Sequence, residues 1–199
     1  MSTTAFDPMA WFPYTPRPHQ DKAVRFSSQI YGEKSVGLLS ADCGVGKTVA
    51  VLSGYLAVRS RDANARLLVL TRTHSQSKVF EEELTQLRLH DPGEGARRDL
   101  TATSMVSRVH VCPMKSQMDQ LTTVGFMKQC AKLVKTGRCS YYWNCYTKSK
   151  GEARIAPRPH FRDEVESLRT SQVVTREAAE ELSESSGFCP YEVLRWCAK

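Results

Sequence analysis

The sequence predicts an α/β fold in which a parallel, nucleotide-binding sheet is interrupted by a helical, cysteine-rich insert. Three observations predict it. A glycine-rich turn, Ala41-Asp42-Cys43-Gly44-Val45-Gly46-Lys47-Thr48, joins an apolar run to a helix-like run. Strand-like and helix-like segments alternate between residues 21 and 111. From Cys112 to Cys189 the composition turns basic and rich in cysteine. Strand, helix, strand, helix, strand is the order that builds a parallel sheet.

Taken in order, residues 1–20 carry Pro8, Pro13, Pro16 and Pro18 and read as an ordered surface loop. Asp21–Tyr31 reads as a helix with Ala23, Val24, Phe26 and Ile30 on its apolar face. Ser35–Leu39 is the first expected strand, and Val49–Ala57 continues the helix that follows the turn. Within the turn, Gly44 and Gly46 allow the backbone N–H groups to face inward, and the helix start adds its positive dipole end. Lys47 would reach the β/γ-phosphates, and the Thr48 hydroxyl would coordinate Mg²⁺. Ala41 replaces the first glycine of the strict pattern, while Gly46-Lys47-Thr48 is intact. The plain alternative is a surface turn that happens to match; both flanks favour the phosphate loop.

Ala65–Leu70 is the second expected strand, ending at Thr71-Arg72-Thr73-His74. Lys78–Leu89 reads as a helix with Val79, Phe80, Leu84 and Leu87 on one side, and Asp91–Gly95 as a loop. Thr101–Val111 supplies a weaker third strand. Thr175–Ser185 is a further helix, capped by Thr175 and followed by Gly187.

The chain has 199 residues, is 41% hydrophobic and contains no apolar run approaching a membrane span. Met1–Phe6 lacks the basic and apolar regions of a signal peptide, so a reducing, intracellular setting is expected. Seven cysteines there suit metal binding or packing better than disulfides. Zinc is one reading, although the close Cys-x₂₋₄-Cys pairs of structural zinc sites are missing. His74, His110 and His160 have no partner at ligand spacing. The formal net charge is +7, unevenly spread. Residues 104–160 hold ten Lys or Arg against Asp119 and Glu152, whereas residues 161–188 hold three basic residues against seven acidic ones. Tyr141, Tyr142, Trp143 and Tyr146 lie among the basic residues. Charge for phosphates and rings for bases suits single-stranded nucleic acid; a solvated basic face over a local aromatic core fits equally.

Three local patterns carry a resemblance. Phe12-Pro13-Tyr14-Thr15-Pro16-Arg17-Pro18-His19-Gln20 resembles the N-terminal glutamine motif of XPD/DinG-type iron–sulfur helicases of superfamily 2. Thr71-Arg72-Thr73-His74-Ser75-Gln76 is similar to their motif Ia. Cys112 with Arg108 four residues before it, Cys130, Cys139 in Cys-Ser-Tyr-Tyr, and Cys189 in Cys-Pro-Tyr resemble their cluster-binding segments. The resemblance runs from Trp11 to Lys199.

It implies a partial RecA-like P-loop NTPase domain with an inserted [4Fe–4S] subdomain. The implied boundaries are 1–111 for the ATP-binding part, 112–189 for the insert, and 190–199 for the return to the first domain. ATP would sit on Gly44, Val45, Gly46, Lys47 and Thr48 with Mg²⁺. Gln20 would read the adenine edge, with Tyr14 or Arg17 beside the base. Thr71, Arg72 and Arg108 would contact DNA, and Cys112, Cys130, Cys139 and Cys189 would hold the cluster, Cys145 being the other choice for the third ligand. Cys43 and Cys197 are expected to be packing residues.

The family's Asp-Glu-Ala-His motif, arginine finger and second RecA domain are not in this sequence. The resemblance therefore implies the N-terminal part of a helicase that binds ATP, cluster and single-stranded or forked DNA. Alone it would not unwind, the other half being supplied in trans or by a longer chain. The alternative is a non-catalytic single-strand-binding or redox-sensing module. The expected location is the cytoplasm, or the nucleus in a eukaryote, with no membrane partner.

Overall fold

The computed structural model describes residues 7–90, 100–148 and 155–199. The expected loop at Asp91–Gly95 lies outside them. The chain divides into two compact units, Met1–Leu100 and Thr101–Lys199.

In the first unit a short 3₁₀ turn, Pro8–Trp11, is capped by the Asp7 carboxylate, which accepts the Met9 N–H at 3.0 Å. Helix α1 spans Gln20–Glu33 and α2 spans Lys47–Arg59. The buried face of α1 is Val24 with Ser27 and Ser28. Small polar residues are needed because Gly54 of α2 comes very close: a Cβ there would lie 2.6 Å from Ser27 Cβ and 2.7 Å from the Ser28 nitrogen. The expected apolar residues Phe26 and Ile30 are half-buried. Both lie against the backbone of Gly37, where a Cβ would come within 2.9 Å of them. Helix α3, His74–Leu89, begins four residues earlier than its apolar pattern suggests, because Thr73 caps it by accepting the Gln76 N–H at 3.3 Å. Leu87 is fully buried, while Val79 is 45% exposed. Two small cores result, one around Leu52, Leu56 and Leu87, the other around Phe12, Val24 and Val49.

Among the described residues, neither Ser35–Leu39 nor Ala65–Leu70 forms a β-ladder. Val36 and Leu38 are 100% and 91% exposed, Leu68 and Leu70 80% and 85%. A strand needs a neighbour's N–H and C=O groups, and among the described residues of this unit none pairs with these runs.

The second unit holds α4 (Arg108–Val111), α5 (Thr123–Lys135), α6 (Ser140–Cys145), α7 (Pro159–Ser171), α8 (Arg176–Ser186) and α9 (Pro190–Cys197). Strands β1 (Tyr146–Lys148) and β2 (Ile155–Pro157) form an antiparallel pair in the register Tyr146↔Pro157, Thr147↔Ala156, Lys148↔Ile155. The third expected strand divides. Thr103 makes an isolated parallel bridge with Val174, and Arg108–Val111 is helical instead. Helix α8 follows its local signals: Thr175 accepts the Ala178 N–H at 3.3 Å, and Gly187 closes the end at φ 67°.

One core fills this unit. Phe161 meets Phe188 edge-on at 5.1 Å, over Val165, Val174 and Leu194. Tyr142 and Tyr146 pack beside it with ring centroids 4.9 Å apart, and the Trp143 indole N–H donates to the Val134 carbonyl at 3.1 Å. The aromatic stretch is thus engaged within its own unit. No helix among the described residues is long and apolar enough to cross a membrane.

Candidate functional site

Two separate constellations answer the sequence expectations, one in each unit. The first is the glycine-rich turn. Gly44 and Gly46 adopt φ values of 81° and 75°, in the left-handed region that the turn requires. Lys47 opens α2, and its ammonium donates to the carbonyls of Ala41 at 2.8 Å and Asp42 at 2.7 Å, so it lies folded back across the turn. Thr48 follows in the first helical turn, half-buried.

Gln20 reaches this turn from the start of α1. Its side-chain N–H donates to the Val45 carbonyl at 2.7 Å, and its oxygen accepts the Arg17 N–H at 2.6 Å. The Arg17 guanidinium donates to the Gly44 carbonyl at 2.8 Å. Gln20 and Arg17 therefore brace the turn through its own carbonyls. Tyr14 stands apart from them: its hydroxyl donates to Glu83 at 3.1 Å, and its ring meets Phe12 edge-on. Thr71 and Arg72 are exposed; the Arg72 backbone N–H donates to the Gln76 side chain at 3.0 Å. Cys43, expected in packing, is instead exposed within the turn.

The second constellation is a small, partly open cavity with Cys112, Cys130, Cys139 and Cys189 in its wall. Four different elements deliver these thiols. Cys112 is the C-cap of α4, Cys130 lies within α5, Cys139 is the N-cap of α6, and Cys189 is the N-cap of α9. Neither N-cap thiol makes a capping hydrogen bond, but nearby backbone N–H groups, those of Tyr141 and Tyr142 for Cys139 and of Tyr191 and Glu192 for Cys189, act to lower the thiol pKa. The Met114 N–H does the same for Cys112. Such donors favour a thiolate, which is the form that binds metals. Burial opposes them and prevails: it raises Cys112 and Cys139 above the ordinary thiol range and pushes Cys189 up to about 12. Any metal loaded here must therefore displace protons.

Among the described residues, no three His, Cys, Asp or Glu are gathered closely enough to hold a single metal ion.

Cys145 does not line the cavity. It is fully buried; its thiol donates to the Tyr141 carbonyl at 3.2 Å, and its sulfur accepts the Cys189 N–H at the same distance. Burial drives its pKa strongly upward. Cys197 is buried in the core, as its apolar surroundings in sequence suggest.

Arg108 also lines the cavity, with its guanidinium carbon 4.4 Å over the Tyr191 ring and an Nη 3.3 Å from Glu192. Sequence reasoning missed Glu192 altogether. It is 1% exposed and accepts the Tyr146 hydroxyl at 2.9 Å and Arg195 at 3.2 Å as well. The available signal was an acidic residue within the apolar run Val193-Leu194, three residues after Cys189; its partner Arg108 is 84 positions away.

No curated protein matches the chain. Residues 69–199 match the model of the DEAD_2 family, a stretch that takes in the whole cysteine-rich unit and well over half of the sequence. The chain belongs to the DEAD_2 family, a helicase-type family of nucleotide-binding hydrolases.

Proposed function

We propose that these residues form the phosphate-loop and cluster-bearing portion of an XPD/DinG-type DNA helicase. ATP with Mg²⁺ would bind the Ala41–Thr48 turn, a [4Fe–4S] cluster the four-cysteine cavity, and single-stranded DNA the basic surface. The observation that carries this reading is the meeting of Cys112, Cys130, Cys139 and Cys189, spread over 78 residues, at one cavity. A [4Fe–4S] cluster takes one thiolate per iron and is a body, not a point. Four thiols line the cavity, the all-cysteine donor set that such a cluster takes, whereas the close Cys-x₂₋₄-Cys pairs usual in structural zinc sites are missing from the sequence. When bound, the cluster would tie α4, α5, α6 and α9 together, and its redox chemistry would come with it.

The parallel RecA-like sheet belongs to the same proposal. Val36, Leu38, Leu68 and Leu70 would become buried when the strands they belong to are paired. The Asp-Glu-Ala-His motif by which such helicases orient the attacking water does not occur in residues 1–199. Nucleotide binding without rapid turnover is expected from residues 1–199.

The test is anaerobic purification of the 199-residue chain, followed by its visible absorption spectrum and iron and acid-labile sulfide assays. A brown protein with about four iron and four sulfide per chain is the expected result. Cys139→Ser should abolish that content and Cys145→Ser should leave most of it. A colourless chain, or one that carries zinc alone, overturns the reading.

A further inference from the structure

Glu192 is a buried carboxylate beside a cavity lined by thiols, in a place where packing alone would accept an apolar side chain. Charges are seldom buried unless they are paired and hydrogen-bonded. Here three donors meet it, and their origin is informative. Arg108 belongs to α4, which ends at Cys112. Tyr146 directly follows α6, which begins at Cys139. Glu192 itself lies in α9, which begins at Cys189. One carboxylate thus joins the elements that deliver three of the four cysteines.

We propose that Glu192 is a positioning residue of the cysteine cavity, fixing Cys112, Cys139 and Cys189 relative to one another and setting, by its charge, how readily a cluster held there accepts an electron. The inference rests on the iron–sulfur reading above. Outer-shell partners of metal ligands hold ligand geometry and tune potential, and the charge around an iron–sulfur cluster is among the quantities that set that potential. Removing the carboxylate leaves Arg108 and Arg195 uncompensated, which favours the more negative, reduced cluster and raises its midpoint potential. Removing Arg108 leaves the carboxylate less compensated and lowers it. General loosening of the fold would not produce shifts of opposite sign.

The experiment compares the full chain, Glu192→Gln and Arg108→Gln, all purified anaerobically. Iron content, midpoint potential and the rate of iron loss to a chelator are measured for each. Glu192→Gln should raise the potential and lose iron about tenfold faster, the lower end of what outer-shell partners contribute. Arg108→Gln should lower the potential. If Glu192→Gln does not fold, Arg108→Gln decides: a potential equal to that of the unaltered chain overturns the inference. An unaltered chain without iron overturns the cluster reading and this inference together. A loaded chain whose potential and iron loss are unmoved by either substitution overturns this inference alone.

Discussion

The first unit leaves Val36, Leu38, Leu68 and Leu70 almost wholly in solvent, whereas the second buries Phe161, Val165, Val174 and Leu194 completely. Both are built from chain of ordinary hydrophobicity, so the contrast lies in what each kind of element requires. Helices α5 to α9 close their backbone hydrogen bonds internally and have only to bury a face. The strand-like runs of the first unit need a neighbour for every N–H and C=O group. Exposure across Leu67, Leu68, Val69 and Leu70 still alternates, half-buried then exposed, as in a strand with one covered face. Helix-borne structure is therefore complete within its unit, and sheet-borne structure is not.

The comparison can be broken at its strongest point first. Phe161→Ala empties the middle of the second core and should cost about 3–5 kcal/mol, read as a lower denaturant midpoint for that unit. A loss below about 1 kcal/mol would mean the core is not the continuous one described. Gly54→Ala should come next, at about 1–3 kcal/mol. Its new methyl would strike Ser27 and the Ser28 backbone, so α1 and α2 must part, and the loss should appear in the first unit's transition. Leu68→Ser should have the smallest effect, within about 0.5 kcal/mol, because the side chain is already exposed. A cost of several kcal/mol would show that this run is covered in solution, and the contrast between the units would disappear.

What the sequence made legible follows the same division. Helix α8 could be read to within a residue, because Thr175 and Gly187 act on their own neighbours. The glycine-rich turn was equally local, and Gly44 and Gly46 do adopt the conformations it demands. The grouping of Cys112, Cys130, Cys139 and Cys189 came from resemblance, since loops of such length carry no geometry of their own. Glu192 was invisible because its meaning depends on Arg108 and Tyr146, both distant in sequence. The face of α1 was legible in part: Val24 is buried and Ala23, Phe26 and Ile30 half-buried, but the burial of Ser27 and Ser28 depends on the close approach of Gly54 from another helix. Tertiary contact extended that face beyond what periodicity marks.

The Lys47 ammonium rests on the Ala41 and Asp42 carbonyls of its own turn. A phosphate arriving there would find the site's principal cation already engaged, and would have to draw it away from two charge-assisted hydrogen bonds, each worth roughly 1.5–3 kcal/mol. The turn thus holds its own cation in place, and any anion that came to Lys47 would first have to release it from these two carbonyls.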